Sequence, residues 1–447
     1  MEVNKMKFLE RVSEYSRQYH NLMANPEMAE KRRMPGEAYF IEDHHILTMP
    51  REDGESRYPF GKGGFNFWAY ASGYMHSNEG LFSPYLRAAE GQEPKIGFFT
   101  GFENNKGTYD VIPILSVPVT NTSLEAIRYT VFSSSSVYYI SQVNEVTFAV
   151  RIFVDEKKKM YTSFLIQNHS EETKKLFVSS YFNPFLKNAV MEGAENRWFR
   201  QGSVIPKANG QNLDSFLLEV YEERDRGLMA PNYGIFTRNI ELSLASKLIK
   251  AEETTSRSAY VGGSKSSLHT PRGLYKGTFD NAKKVTTFTE IAVAADLIHL
   301  DIGTSGWARI DIQMGYCFTQ EEKEKLINEV PSGRKIDQYE EGLIEQEKQL
   351  QSRLATSFGQ SLSDNLKEQV FESFFEHLKK QVEFCSLIKG YIQLSNFSLI
   401  GIRDVFQALE GLMYWQPEVA KEKMLEALNF VAPNGRCPRQ YSLPTYE

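Results

Sequence analysis

The sequence predicts a mainly β protein with a helical C-terminal part: a large antiparallel β-sandwich, then a helical linker, then a helical hairpin. Three observations predict it. Apolar side chains alternate every second residue, broken by Gly, Asn and Pro, from about residue 36 to 318. At Thr319 the spacing becomes helical, beginning with the charged run Glu321 to Lys325. Near the C-terminus Pro417 reads as a first helical residue and Asn434–Gly435 as the turn beyond a last one.

Residues 1–35 read as a short helical segment, with Phe8, Leu9, Val12 and Tyr15 at helical spacing. In the sandwich, 36–318, Val146, Phe148, Val150, Ile152 and Val154 fall on one strand face, as do Ala308, Ile310, Ile312 and Met314. Two β-rich runs between Phe164 and Tyr181 flank Asn168–Glu172, which predicts a hairpin loop. The linker, 319–380, starts with a helix stopped by Pro331-Ser332-Gly333. A longer helix follows, whose narrow stripe of Tyr339, Leu343, Leu350 and Leu354 predicts packing against the sandwich edge. Ser361–Asp364 resembles a capping box, and beyond it Leu366, Val370, Phe374, Leu378 and Val382 share one helix face. The last segment, 381–447, holds an apolar connection from Tyr391 to Ile402, a helix from Arg403 to Tyr414 and another from Pro417 to about Phe430.

Composition narrows the function. The 447 residues carry a formal charge of -6 and a pI near 5.9, with no basic face, which argues against a nucleic-acid partner. Lys157-Lys158-Lys159 sits in an expected hairpin turn and reads as solvated. Three separated cysteines form no CxxC pair and suit a reducing compartment. No signal-peptide core and no run approaching the ~20 apolar residues of a membrane span is present, so a cytoplasmic protein is expected. His44-His45 and His169 have no ligand partners at metal spacing, and Gly61-Lys62-Gly63-Gly64 lacks the lead glycine and the Ser or Thr of a phosphate loop. Neither a metal nor a cofactor is expected.

Two segments have the composition of a binding site. In Gly401-Ile-Arg-Asp-Val-Phe-Gln407, Arg403 sets a planar cation beside the acceptor-only Asp404, a pair suited to the vicinal hydroxyls of a sugar. Read from the residues alone, the pair is equally a helix cap with a surface ion pair worth under ~1 kcal/mol. Downstream, Asn434 to Tyr441 offers Arg436 and Gln440, equally readable as loop structure. In Gly63 to Gly80, Trp68, Tyr70 and Tyr74 suit stacking on sugar faces, with His76 and Asn78 as hydrogen-bonding groups. The alternating Phe65, Phe67 and Ala69 equally describe a buried strand.

These passages together resemble glycoside hydrolase family 94, the inverting cellobiose, chitobiose and 1,2-β-oligoglucan phosphorylases. Thr162 to Tyr181 is similar to a sandwich hairpin of that family, with Asn168 in the turn, and Gly401 to Gln407 resembles its Gly-aromatic-Arg-Asp-x-x-Gln motif. Trp415 to Leu425 resembles the family's second barrel helix, and Asn434 to Tyr441 loosely matches its Asp-Gly-x-x-x-His turn. The resemblance implies a supersandwich, a helical linker and the first helices of an (α/α)6 barrel. It implies donor-sugar binding by Arg403, Asp404, Gln407, Arg436 and Gln440, with inorganic phosphate as co-substrate and a β-linked gluco-oligosaccharide as substrate. A homodimer, with Trp68, Tyr70 and His76 lining a neighbouring barrel mouth, belongs to the same expectation. The family's general acid lies several barrel helices downstream of Arg-Asp, where this chain has no residue. The chain is therefore expected to be an N-terminal part, inactive alone. Ser398 stands where cellobiose-type enzymes carry a second sugar-binding Arg, and Gln440 stands in place of the turn's His. Both departures favour an oligoglucan-type relative. The competing expectation is a non-catalytic carbohydrate-binding or assembly module.

Overall fold

The computed structural model describes residues 6–34, 37–50, 56–62, 65–76, 94–117, 124–155, 159–184, 200–205, 215–224, 228–263, 266–280, 282–287, 290–352, 366–383, 399–414 and 416–442. Among these, a twelve-stranded and a five-stranded antiparallel sheet dominate. The middle of the larger runs, in spatial order, Ile127–Phe132, Val137–Val143, Val146–Val154, Lys159–Asn168, Trp307–Cys317 and Leu228–Leu242. The smaller runs Ser246–Ser256, Ala292–Ile302, Lys174–Phe182, Ile96–Glu103 and Tyr109–Pro113. Their facing sides form the main core. Val146, Phe148, Val150, Ile152 and Val154 point into it with Ile310, Ile312 and Met314, and Phe98 meets Phe164 and Phe182 edge-on at 5.7 Å.

The segment around Asn168 is an arch, not the hairpin its sequence predicts. Lys159–Asn168 pairs with strands of the large sheet, and Lys174–Phe182 pairs with Ile96–Glu103 and Ala292–Ile302 in the small one. Asn168 braces the crossing. Its Nδ2 donates to the carbonyls of Glu172, Ile302 and Gly303 at 2.8, 2.9 and 3.1 Å, while its Oδ1 accepts from the Ser170 amide and hydroxyl. A polar turn looks alike in an arch and a hairpin, because the strand partner is a long-range choice.

Nine helices are described: α1 Lys7–Ala24, α2 Pro26–Arg32, α3 Arg257–Val261, α4 Arg272–Lys276, α5 Gln320–Asn328, α6 Gly333–Ser352, α7 Leu366–Glu383, α8 Ile402–Leu412 and α9 Pro417–Leu428. Among the described residues no helix is long and apolar enough to cross a membrane. The outer face of the large sheet is built in cross-strand rows. The row Ile140, Ala149, Leu165 is apolar and is covered by Phe8, Val12, Tyr15 and Leu22 of α1. The row before it, Tyr138, Arg151, Ser163, is polar and buried.

That polar row receives α6. The helix lies on the sheet's outer face rather than along an edge, with Tyr339 and Leu343 of its predicted stripe packed on Phe153 and Tyr161. Leu350's side chain and Leu354 lie outside the described residues. What docks the helix is charge, at Asp337 and Glu340, one turn apart and both buried. Arg151 Nη1 sits 2.8 Å from Glu340 Oε2 and 2.9 Å from Asp337 Oδ1. Arg309 reaches Asp337 with both Nη atoms, at 3.0 and 2.9 Å, and its Nε lies 2.7 Å from Asp311. Arg11 of α1 closes on Glu340 at 2.9 Å, and the hydroxyls of Ser136 and Tyr138 donate to its other oxygen at 2.5 Å. Three guanidinium groups thus meet three carboxylates, and the Phe8 ring lies against two of them, 4.5 Å from Arg151 Cζ and 5.4 Å from Arg309 Cζ. Burial pushes the Glu340 and Asp337 carboxyls up, but Arg151 and its neighbours outweigh that and hold both below the usual range.

α7 also differs from expectation. Phe374 and Leu378 of its predicted apolar face are exposed, while Ser373, His377 and Lys380 are buried. His377 explains the choice. Its Nδ1 pairs with Tyr58 Oη at 2.6 Å and its Nε2 with the His44 carbonyl at 2.5 Å, and Lys380 pairs with the buried Glu347 of α6. Hydrogen-bonded polar groups therefore bind α7 to the sandwich.

Two predictions follow from this packing. Glu340→Ala leaves Arg151 and Arg11 facing an uncompensated hole, and should cost about 3–5 kcal/mol in denaturant unfolding. Burial pushes the His377 imidazole down to about 4 from 6.5, so between those values the unfolded chain binds more protons than the folded one. Stability should be complete above pH 6.5 and fall as pH drops towards 4, by roughly 3 kcal/mol from this residue, and His377→Gln should flatten that part of the profile.

Candidate functional site

The C-terminal hairpin is built from an amphipathic helix on a helix. Ile402, Val405, Leu409 and Leu412 of α8 are buried against Ala420 and Ala427 of α9. A two-stranded pairing closes its base: Leu399–Gly401 runs antiparallel to Gln440–Ser442, with Gly401 opposite Gln440. Between them the Ile402 amide donates to the Arg439 carbonyl at 3.3 Å. Tyr441 is buried and stacks on Phe430 at 4.3 Å. Residues 443–447 lie outside the described residues.

This pairing brings the two halves of the predicted sugar-binding segment to one place. Gly401 precedes the first turn of α8, and a Cβ there would sit 2.5 Å from Asp404 Oδ2. Glycine lets the carboxylate fold back over the helix start, where its charge also favours the helix dipole. Arg403 donates to Asp404 Oδ1 from Nε at 3.2 Å and from Nη2 at 3.0 Å. The Arg403 side chain is 77% exposed and that of Asp404 only 17%, so the pair presents a fork to solvent on a carboxylate base. Gln407 is exposed one turn further on, and Gln440 is exposed opposite Gly401. Arg436 lies exposed in the Asn434–Gly435 turn, its amide donating to Asn434 Oδ1 at 3.0 Å. The arrangement is a hydrogen-bonding rim with both donors and acceptors.

Trp68 and Tyr70 stand on a different element, the strand Phe65–Tyr70 of a three-stranded sheet. Phe67 and Ala69 are core, as the strand reading expects, while Trp68 and Tyr70 are half-buried on the other face. Arg57 was not legible as part of this face because it belongs to the neighbouring strand, directly opposite Tyr70. Its guanidinium carbon lies 5.4 Å from the Trp68 ring centroid and 5.9 Å from that of Tyr70, and its Nη1 donates to Tyr70 Oη at 3.2 Å. His76 pairs its backbone with Trp68, while its side chain and residues 63–64 and 77–80 lie outside the described residues. Among the described residues no group of three His, Cys, Asp or Glu side chains is placed to hold a metal.

With this geometry in view, the comparisons decide the family. The supersandwich domain of glycosyl hydrolase 94 matches residues 104–332, just over half of the chain. The chain belongs to glycosyl hydrolase family 94. The match covers the arch at Asn168 and the outer-face rows, and stops one residue before α6. No curated protein matches. Among solved structures the chain is similar to the GH92 family glycosyl hydrolase ccman5, at 9% identity and a TM-score of 0.35, over 82% of this chain and 44% of that one. It is also similar to a structure named for an aldose 1-epimerase from Escherichia coli K12, at 9% identity and a TM-score of 0.27, over 60% of this chain and all of that one. The chain thus spans less than half of the GH92 structure, and both likenesses are too slight to carry fold or function.

The exposed rim predicts its own tolerance. Asp404→Asn should change unfolding free energy by under about 1 kcal/mol, because the ion pair it removes is at the surface. A much larger loss in denaturant melts would make Asp404 a structural residue.

Proposed function

We propose that this chain contributes the sandwich and part of the donor-sugar subsite of an inverting β-glucoside phosphorylase, acting on a β-linked gluco-oligosaccharide and inorganic phosphate. Family membership supports the reaction class, and the observation that carries the site is the Gly401–Gln440 pairing beside Arg403 and Asp404. In this reading α8 and α9 are the first helices of an (α/α)6 barrel. Arg403, Asp404, Gln407 and Gln440 hold hydroxyls of the terminal sugar, and move no proton. Arg436 offers a cation at the same rim.

The chemistry needs one acid for the leaving oxygen. A hydrolase would need a second carboxylate to deprotonate water. Phosphate arrives already anionic, so a cationic or hydroxyl-lined pocket replaces that base. The acid is assigned to no residue of this chain. Ser398 and Gln440 support a 1,2-β-oligoglucan substrate over cellobiose, and the reading extends to a cytoplasmic homodimer. The flat face of Arg57, Trp68 and Tyr70 favours a second reading, a non-catalytic carbohydrate-binding module.

The test is phosphate consumption with β-linked gluco-oligosaccharides, on this chain and on one extended along the reading frame beyond Glu447. Turnover is expected only in the extended form, with Asp404→Asn lowering kcat/KM on the order of a hundredfold. Turnover by the 447-residue chain would sink the assignment of the acid elsewhere. Saccharide binding without turnover in either form would establish the second reading.

A further inference from the structure

The outer face of the large sheet carries a third cross-strand row, which α1 borders through His20. After the ionic row at Arg151 and the apolar row at Ala149 comes Gln142, Thr147 and Gln167, which are direct register partners. A groove of about 370 Å3 opens over this row beside the C-terminal half of α1. That volume lies within the range of small-molecule sites, about 300–1,000 Å3.

Polar side chains are held in place around it, over a surface to which their apolar parts and Val146 contribute most of the area. His20, from α1, pairs its Nε2 with Gln142 Oε1 at 3.1 Å, and His169 pairs its Nε2 with Thr147 Oγ1 at 2.9 Å. Glu145 sits in the tight turn between Val137–Val143 and Val146–Val154, where it and Asn144 both adopt positive φ, and its carbonyl accepts from the His169 amide at 2.9 Å. The Gln167 side chain is half-buried and lines the groove. The lining therefore offers amide donors and acceptors side by side on a rigid sheet.

We infer that this groove is an accessory saccharide site, taking one or two rings of a neutral glycan through its vicinal hydroxyls. Amides and imidazoles supply the paired donor and acceptor that a diol needs. The acidic member of the lining is the Glu145 carboxylate, which Lys174 Nζ offsets from 3.7 Å, so the groove has no excess of positive charge to draw phosphate or another anion. Burial holds the His169 imidazole below its ordinary value, which keeps it neutral at pH 7 and adds no cation. The site differs from the Arg403 rim in having no guanidinium, and its occupancy does not depend on turnover.

Saturation-transfer NMR with sophorose and cellobiose on the full 447-residue chain tests this. Wild type should bind with a Kd on the order of millimolar, and Gln142→Ala/Gln167→Ala should weaken binding about tenfold with an unchanged melting temperature. Gln167→Leu, close in volume, provides the same readout should the double variant melt early. Asp404→Asn should retain the groove's binding, separating it from the proposed donor subsite. Inorganic phosphate should not displace the disaccharide. Absence of binding to wild type, undiminished binding by both Gln variants, or displacement by phosphate would overturn the inference.

Discussion

The buried ion cluster at Arg151 is the constraint on which the rest of this structure depends. Two strands of the large sheet supply Arg151, Arg309 and Asp311, the linker helix supplies Asp337 and Glu340, and the N-terminal helix supplies Arg11. Removing six charges from water is costly, and only mutual pairing with additional hydroxyl donors offsets it. The cluster is therefore weak evidence for net stability and strong evidence for register. A one-residue slip of Val146–Val154 would turn Arg151 into the apolar core between the sheets. A slip of α6 would separate both carboxylates from their partners. In this way the position of the linker is set relative to the sandwich, and α7 follows through Lys380 and Glu347.

What the sequence reveals is the part written in local periodicity. The strand face from Val146 to Val154, the start of α9 at Pro417 and the turn at Gly435 were all legible. The arch at Asn168 was not, because its two strands look the same whether they pair with one another or with separate sheets. The buried side of α7 was not legible either. Its apolar stripe is the stronger local signal, yet His377 finds Tyr58 and His44, more than three hundred residues earlier, and those bonds orient the helix. Arg151, Arg309 and Asp311 left no such trace: alternation sets them on the outward face of their strands, where a charge reads as solvated, and only the packing of α1 and α6 over that face buries them.

The candidate site was legible in composition but not in assembly. The Gly401 to Gln407 segment and Gln440 lie more than thirty residues apart and meet through a strand pairing of three residues each, too short to leave a pattern. Gly401 then has a specific reason to be glycine, since its missing Cβ leaves room for the Asp404 carboxylate. Arg57 shows the complementary failure: nothing near it in sequence marks it as part of an aromatic face, and only strand pairing sets it over Trp68 and Tyr70.

Electrostatics divides the three polar surfaces between the roles proposed for them. A phosphorolytic site must attract an anion while it holds a neutral sugar; the C-terminal segment carries the Arg403–Asp404 fork and, in the turn after α9, the exposed Arg436. The Arg57 face engages its own guanidinium against the Trp68 and Tyr70 rings, which leaves that cation less available for anion capture. The groove over Gln142 and Gln167 has Glu145 in its lining, offset by Lys174 at 3.7 Å, and so has no excess of positive charge to hold a phosphate. The groove, held by rigid strands remote in sequence from that rim, is suited to retaining neutral glycan without competing for phosphate.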